Sequence, residues 1–119
     1  MNNRKVGSAQ EDRAAAYLQD QGMEILERNF RNRSGEIDMI GRHEGYLVFV
    51  EVKYRSGNSQ GSPAEAVDFR KQRQICKVAD YYRMMHQLDD QTPIRYDVVA
   101  ILGEQIRWVQ NAFYHIGRY

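Results

Sequence analysis

The stretch Gly35-Glu36-Ile37-Asp38-Met39-Ile40-Gly41-Arg42-His43-Glu44-Gly45-Tyr46-Leu47-Val48-Phe49-Val50-Glu51-Val52-Lys53-Tyr54 decides the fold. It is rich in Val, Ile, Leu and aromatic residues and is broken once, at His43-Glu44-Gly45, which marks it as a β-hairpin. A loop centred on Glu44-Gly45, two or four residues long, sets Asp38 opposite Glu51 and Glu36 opposite Lys53. Directly opposed residues of an antiparallel pair project from the same face. With a two-residue loop the Asp38–Glu51 pair falls at a non-hydrogen-bonded position, where Cβ atoms lie about 4.5–5.5 Å apart. The other face carries Ile37, Met39, Val48, Val50 and Val52, an apolar set suited to burial under a helix. Leu47 and Phe49 lie on the carboxylate side near the hairpin end and call for a second apolar layer there. Glu44 is a poor first residue for a tight type I′ turn, which prefers Asn, Asp or Gly. A three-residue loop would slip the register by one and separate the acids. The agreement between a charged face and an apolar face argues against that slip.

Two carboxylates able to share a divalent cation, with a lysine beside them, suit metal-assisted hydrolysis of a phosphodiester. Asp38 and Glu51 are the expected metal ligands, and their hard oxygen donors suit Mg²⁺ or Mn²⁺. Asp38, Glu51 and Lys53 form the expected catalytic set, Lys53 orienting the attacking water or neutralising charge on the phosphate. Like charges directly opposed cost stability when no cation joins them, so a purely structural role for the pair is the weaker reading. Glu36 either adds to this site or pairs with Lys53, and the hairpin register favours the pairing.

Outward from the hairpin the elements follow in order. Ala9, Ala14, Ala15, Ala16 and Leu18 favour a helix that stops at Gly22, and Ser8 with Glu11 has the spacing of a capping box. Met23 to Phe30 is expected as a strand, and Asn29 to Gly35 as a basic turn. Ser62-Pro63-Ala64-Glu65 combines an N-cap serine, a first-turn proline and a glutamate, and predicts a helix start. That helix is expected to run to about Gln87 on an apolar stripe of Val67, Ile75, Val78, Ala79, Tyr82 and Met85. Ile94 to Leu102 and Ile106 to Ala112 are strands about a Gly103-Glu104-Gln105 turn. The order α-β-β-β-α-β-β predicts an α/β fold with a mixed sheet, its helices on both faces or together on one. The long helix between the third and fourth strands predicts a right-handed crossover and a parallel pair.

Composition narrows the function classes. At 119 residues the chain is expected to be one domain with a genuine core. No segment approaches a membrane span and no apolar leader follows Met1, so a cytoplasmic location is expected. The single cysteine, Cys76, excludes an internal disulfide and a cysteine zinc site; its place in an apolar helical pattern predicts a buried structural thiol. The net charge of +1 does not by itself announce nucleic acid, so distribution matters more than the sum. Arg28, Arg31 and Arg33 precede the acidic motif, Arg55 follows it, and Arg70, Lys71, Arg73 and Lys77 form a second basic run. Arg55, Lys71, Arg31 and Arg33 are the candidate phosphate contacts, and a solvated mixed-charge surface is the plainer use of such residues. The stretch from Arg55 to Gly61 is expected to be flexible and able to close over substrate. His43, His86 and His115 have no metal-ligand spacing and are expected at the surface. Tyr81, Tyr82, Trp108, Phe113, Tyr114 and Tyr119 suit core packing or a dimer surface better than stacking on bases.

Asp38 followed by Glu51-Val52-Lys53 resembles the D…ExK signature of restriction-endonuclease-like nucleases, the PD-(D/E)XK superfamily, whose core has the same α-β-β-β-α-β order. Over nearly its whole length the chain resembles the YraN family of small bacterial proteins, related to archaeal Holliday-junction resolvases. The likeness rests on Gly7 with Glu11, Tyr17-Leu18 with Gly22, Arg28-Asn29, Gly35-Glu36-Ile37-Asp38, Phe49-Val50-Glu51-Val52-Lys53-Tyr54-Arg55, Gly61 with Pro63, Lys71, and Arg95-Tyr96-Asp97-Val98-Val99. Ile37 stands where the superfamily's name has a proline, a departure that leaves the carboxylates and lysine untouched. The resemblance implies a restriction-endonuclease-like domain over residues 1–119 and a metal-dependent endonuclease acting on DNA, including branched, Holliday-junction-like DNA. The alternative is a nucleic-acid-binding module with an inactive or regulatory nuclease-like site; a protein-interaction scaffold is the remaining class. The resemblance also implies the Val52 carbonyl as a metal ligand and a third carboxylate on the first helix. Glu11 is the candidate, its other role being the capping box with Ser8. A junction resolvase makes two cuts related by symmetry, so a homodimer follows if that is the substrate.

Overall fold

The computed structural model describes residues 3–55 and 67–117, the side chains of residues 3–7 excepted. Its elements are α1 (Asn3–Asp20), β1 (Glu24–Asn32), β2 (Gly35–His43), β3 (Tyr46–Arg55), α2 (Phe69–Met85), β4 (Ile94–Leu102) and β5 (Gln105–Phe113). The expected order is present throughout. The five strands lie in the order β1-β2-β3-β4-β5. Only β3 and β4 run parallel, joined through α2; the other neighbours are antiparallel. This is an α/β fold with a five-stranded mixed sheet and two helices, consistent with a restriction-endonuclease-like core. Among the described residues no helix is long and apolar enough to cross a membrane.

The hairpin closes with the two-residue loop. His43 pairs with Tyr46, and Glu44 and Gly45 both take positive φ, 50° and 84°, the signature of a type I′ turn. Glu44 therefore adopts the left-handed conformation its side chain disfavours, held there by the ladder on either side. The expected register runs from His43↔Tyr46 to Met39↔Val50. There the β2–β3 ladder ends, and Asp38 and Glu51 are not ladder partners.

The helices take opposite faces. Ala14, Ala15 and Leu18 of α1 pack on Met39, Val48, Val50, Val99 and Ile101. Ile75, Val78, Ala79 and Tyr82 of α2 pack on Ile37, Ile40, Leu47, Phe49 and Tyr96, supplying the second layer that Leu47 and Phe49 required. Aromatic rings organise the α2 side: Tyr96 stacks between Phe49 and Phe113 at 5.5 and 5.0 Å, and Tyr82 meets Phe30 edge-on at 5.2 Å. Cys76 is buried in this layer as expected, its Sγ accepting the Ile116 N–H at 3.4 Å. Burial raises its pKa, consistent with an inert thiol.

Several expectations need correction. Ile37 packs on the α2 side with Ile40, whereas Met39 packs under α1. Strict alternation fails between Asp38 and Met39, beside Asn29, whose φ of 55° twists the neighbouring strand. Ser8 and Glu11 form no capping box, because α1 already begins at Asn3. Helix α2 begins at Phe69, with Asp68 as N-cap accepting the Lys71 N–H at 2.8 Å, and ends at Met85, which is exposed. Val67 is buried ahead of the helix rather than within it. The start signal at Ser62-Pro63-Ala64-Glu65, the stretch after Arg55 and the tail residue Tyr119 lie outside the described residues.

Gly41 marks a close approach. A Cβ there would meet the Met23 Sδ at 2.6 Å and, less yielding, the backbone oxygen of Glu24 at 2.9 Å. Gly41→Ala is expected to destabilise the protein by about 1–3 kcal/mol, the usual cost of overpacking. Chemical denaturation checks this, with the midpoint falling and the slope against denaturant unchanged.

Candidate metal centre

Four acids converge where α1 crosses the end of the hairpin. Asp38 comes from β2 where its ladder with β3 stops, and its freed geometry is used: Asp38 Oδ2 accepts the Val52 N–H at 2.8 Å. Glu36 stands two residues earlier on the same strand. Glu11 comes from α1, one of its oxygens accepting from the Asn29 amide at 2.9 Å. One carboxylate oxygen from each of Glu11, Glu36 and Asp38 lies within 4.8 Å of the others. Glu51, on β3, is the fourth. It is 6% exposed, and it is near enough to Asp38 for its charge to raise the Asp38 carboxyl.

Charge is distributed unevenly over these acids. Glu51 Oε2 has two ammonium groups near it, Lys53 Nζ at 3.5 Å and Lys71 Nζ at 3.7 Å. Glu36 pairs with Arg31 across the β1–β2 ladder. Asp38 has no cationic partner among the described residues. Burial, and after it the charge of Glu51, pushes the Asp38 carboxyl up to about 8, against the hydrogen bond from Val52. Glu11 is also raised, by burial first. A divalent cation would relieve this arrangement, because it supplies the charge that Asp38 lacks.

The structure therefore brings together Asp38, Glu51, Lys53 and Glu11 from the expected set, and adds Glu36. The expected Glu36–Lys53 pairing is replaced: Arg31 is the direct cross-strand neighbour of Glu36, and Lys53 turns to Glu51. Val52 is at the site through its N–H. Lys71 faces the Glu51 carboxylate across from α2. Arg31 reaches the cluster through Glu36. Arg55 is exposed and folds back on the Tyr54 carbonyl at 3.1 Å, and Arg33, exposed in the β1–β2 turn, makes no ion pair among the described residues.

A second polar constellation lies on the α1 face of β4. Asp97, 1% exposed, accepts from Arg95 through both oxygens, from Trp108 Nε1 at 2.8 Å and from the Asn111 N–H at 2.9 Å. A β4–β5 bulge between Tyr96 and Val98 releases that Asn111 N–H from the ladder. Arg95 also donates to His43 Nδ1 at 2.9 Å. His43 is thus buried, not at the surface as expected; an arginine can only donate, so the His43 proton sits on Nε2, facing Glu44 at 3.4 Å. His115 is exposed, as expected, and its Nδ1 lies 2.6 Å from the Tyr96 hydroxyl, which ties the chain after β5 to the core. His86 is exposed, as expected. Sequence reasoning missed the Arg95–Asp97 lock, although a charged pair at alternate positions of an apolar strand signals a shared face.

The sequence has relatives among known proteins. Residues 10–101 match the model of the uncharacterised protein family UPF0102. A UPF0102 protein of Lachnoclostridium phytofermentans is 50% identical over 113 residues, covering 95% of this chain and 96% of that protein. One from Clostridioides difficile is 44% identical over 115 residues, covering 95% of this chain and all of that protein. One from Shewanella sp. strain W3-18-1 is 44% identical over 108 residues, covering 91% and 98%.

Proposed function

The chain belongs to the uncharacterised protein family UPF0102, and from that premise we propose that it is a metal-dependent endonuclease of the PD-(D/E)XK kind, hydrolysing phosphodiester bonds in DNA, branched DNA included. The observation that carries the reading is Asp38: a half-buried acid beside Glu11, Glu36 and Glu51, without a cationic partner among the described residues, next to a carboxylate that holds two lysines. The donor set is all oxygen, which fits Mg²⁺ or Mn²⁺. Asp38, Glu11, Glu36 and Glu51 would hold the ion. When bound, such an ion supplies an acidified water and offsets charge on the phosphate.

The chain's own residues do the rest. The Val52 N–H fixes the Asp38 carboxylate. Lys53, held by Glu51, places an ammonium where negative charge develops on the phosphate. Lys71 adds a second positive charge from α2, and the exposed Arg55 and Arg33 are positioned to meet the backbone of the nucleic acid. A nucleic-acid-binding module with an inactive site is the alternative, and the presence of Asp38, Glu51 and Lys53 together favours the enzyme.

Labelled linear, flap, forked and four-way-junction DNAs, incubated with Mg²⁺ or Mn²⁺ and with EDTA, test the reading. Cation-dependent cutting of at least one substrate is expected, reduced about 10²–10³-fold in Lys53→Ala, the loss typical of removing one transition-state charge. Binding across the panel with no cutting under any cation refutes the enzyme and leaves the binding module.

A further inference from the structure

We propose that the solvent face of α2 is a track for a single DNA strand, its phosphates on Arg70, Arg73 and Lys77 and a base on Tyr81. The proposal rests on the nuclease reading for its direction: it names the part of the substrate that leads away from the carboxylates.

Two grooves run along this face. One, of about 480 Å³, is lined by Arg70, Lys71, Arg73, Gln74 and Lys77 against Ser34 of the β1–β2 turn. The other, of about 350 Å³, is lined by Lys77, Tyr81 and Met84 against Asn32 and Ser34. They share Ser34 and Lys77 and so form one channel between α2 and the turn. Gln74 braces its wall, its amide donating to the Ser34 carbonyl at 2.7 Å. Gly35 leaves the room for that reach, since a Cβ there would meet the Gln74 side chain at 2.7 Å.

Residues 70, 73, 77, 81 and 84 share one side of the helix. Cations therefore recur about once per 5.4 Å turn and are followed by a ring. Arg70, Arg73 and Lys77 are exposed and make no ion pairs among the described residues. Two acids also line the grooves, Asp68 the first and Asp80 the second, and both are engaged: Asp68 caps the Lys71 N–H, and Asp80 is held by His115 at 3.3 Å and Arg83 at 3.8 Å. Lys71 opens the channel at one end and touches Glu51, so the track leaves from the candidate site.

At the far end Tyr81 is 38% exposed, its ring steadied by Phe30 at 6.1 Å, with the exposed Met84 beside it. A ring fixed in this way at the end of a row of cations is a stacking platform. A paired base is held inside its duplex stack and cannot lie on it, so an unpaired strand is the occupant that uses the whole channel.

The test is fluorescence anisotropy of a labelled oligo-dT in EDTA, over a range of salt, beside a blunt duplex of the same length. The wild-type protein is expected to bind the single strand more tightly than the duplex, with affinity falling as salt rises. Arg73→Glu with Lys77→Glu is expected to weaken binding more than 10-fold and to flatten the salt dependence by about 0.7 for each phosphate no longer neutralised. Tyr81→Ala is expected to weaken it about 5-fold or more with an unchanged salt slope, and Tyr81→Phe to restore it. Variants that bind like wild type, or a duplex bound as tightly as the strand, overturn the track. EDTA separates the two readings: strand binding retained in a protein that cuts nothing refutes the nuclease alone, whereas cutting with track variants that bind normally refutes the track alone.

Discussion

Asp38→Asn is expected to abolish cleavage, by at least about 10²-fold, while producing a metal-free protein that is more stable than wild type in mild alkali. Asparagine keeps an oxygen for the Val52 N–H that Asp38 now accepts at 2.8 Å, so the fold has no reason to move. What it removes is a charge the site cannot hold without a cation. In the folded protein burial and the charge of Glu51 raise the Asp38 carboxyl from 3.8 to about 8; in the unfolded chain it ionises near its ordinary value, about 4. Between those pH values the folded state keeps a proton that the unfolded state has released. Stability of the metal-free protein therefore falls as pH rises from about 4 to about 8, and changes no further through this group above that. Asp38→Asn removes this component. At pH 8 it should unfold later in denaturant by about 1–2 kcal/mol, the gain commonly seen when a functional site is relaxed. Glu11, also raised by burial, leaves a residual slope of the same sign. Denaturation of both proteins in EDTA at a series of pH values reads the difference directly. Parallel profiles would falsify the placement of Asp38 as the acid that bears the site's electrostatic cost.

Asp97→Ala should have the largest effect on stability of any single change in the lock beside β4, about 3–5 kcal/mol. Asp97 collects both of its charge-assisted contacts from Arg95, together with the Trp108 Nε1–H and the Asn111 N–H. Its loss leaves the Arg95 guanidinium, 7% exposed, buried without a counter-charge and two further donors without an acceptor. Arg95 also lies 5.3 Å from the Tyr46 ring centre and 5.9 Å from that of Trp108, so those aromatic contacts do not replace a carboxylate. Urea denaturation checks the value; a loss below about 1 kcal/mol would mean that the pair is not the brace described. Trp108 fluorescence offers a second readout of the same event.

The hairpin is legible in the sequence because its chemistry is local. Alternation from Met39 to Val50 and a single break at Glu44-Gly45 determine a register, and a register determines faces. The ends of that hairpin are not legible, because they depend on a third strand. Asn29, in a left-handed conformation on β1, breaks alternation at Asp38; nothing within residues 35–54 signals it. The same neighbour strand supplies Arg31, which takes Glu36 from Lys53. Glu11 is visible only as a choice between a cap and a ligand, and the true start of α1 at Asn3 removes the cap. Lys71 reads as a cation suited to phosphate, but its approach to Glu51 depends on how α2 lies over the sheet, which no local pattern specifies. His43 escapes for a similar reason: a histidine near a turn reads as exposed until Arg95, fifty-two positions away in sequence, is known to lie over it.

Whether Asp38 and its neighbouring acids form a divalent-cation site is decided by calorimetric titration of Mn²⁺ into the protein. Saturable binding to the wild-type protein is expected, with protons released as Asp38 gives up its own, together with loss of that binding in Asp38→Asn. Absence of saturable binding to wild type, or equal binding to the variant, would contradict the site.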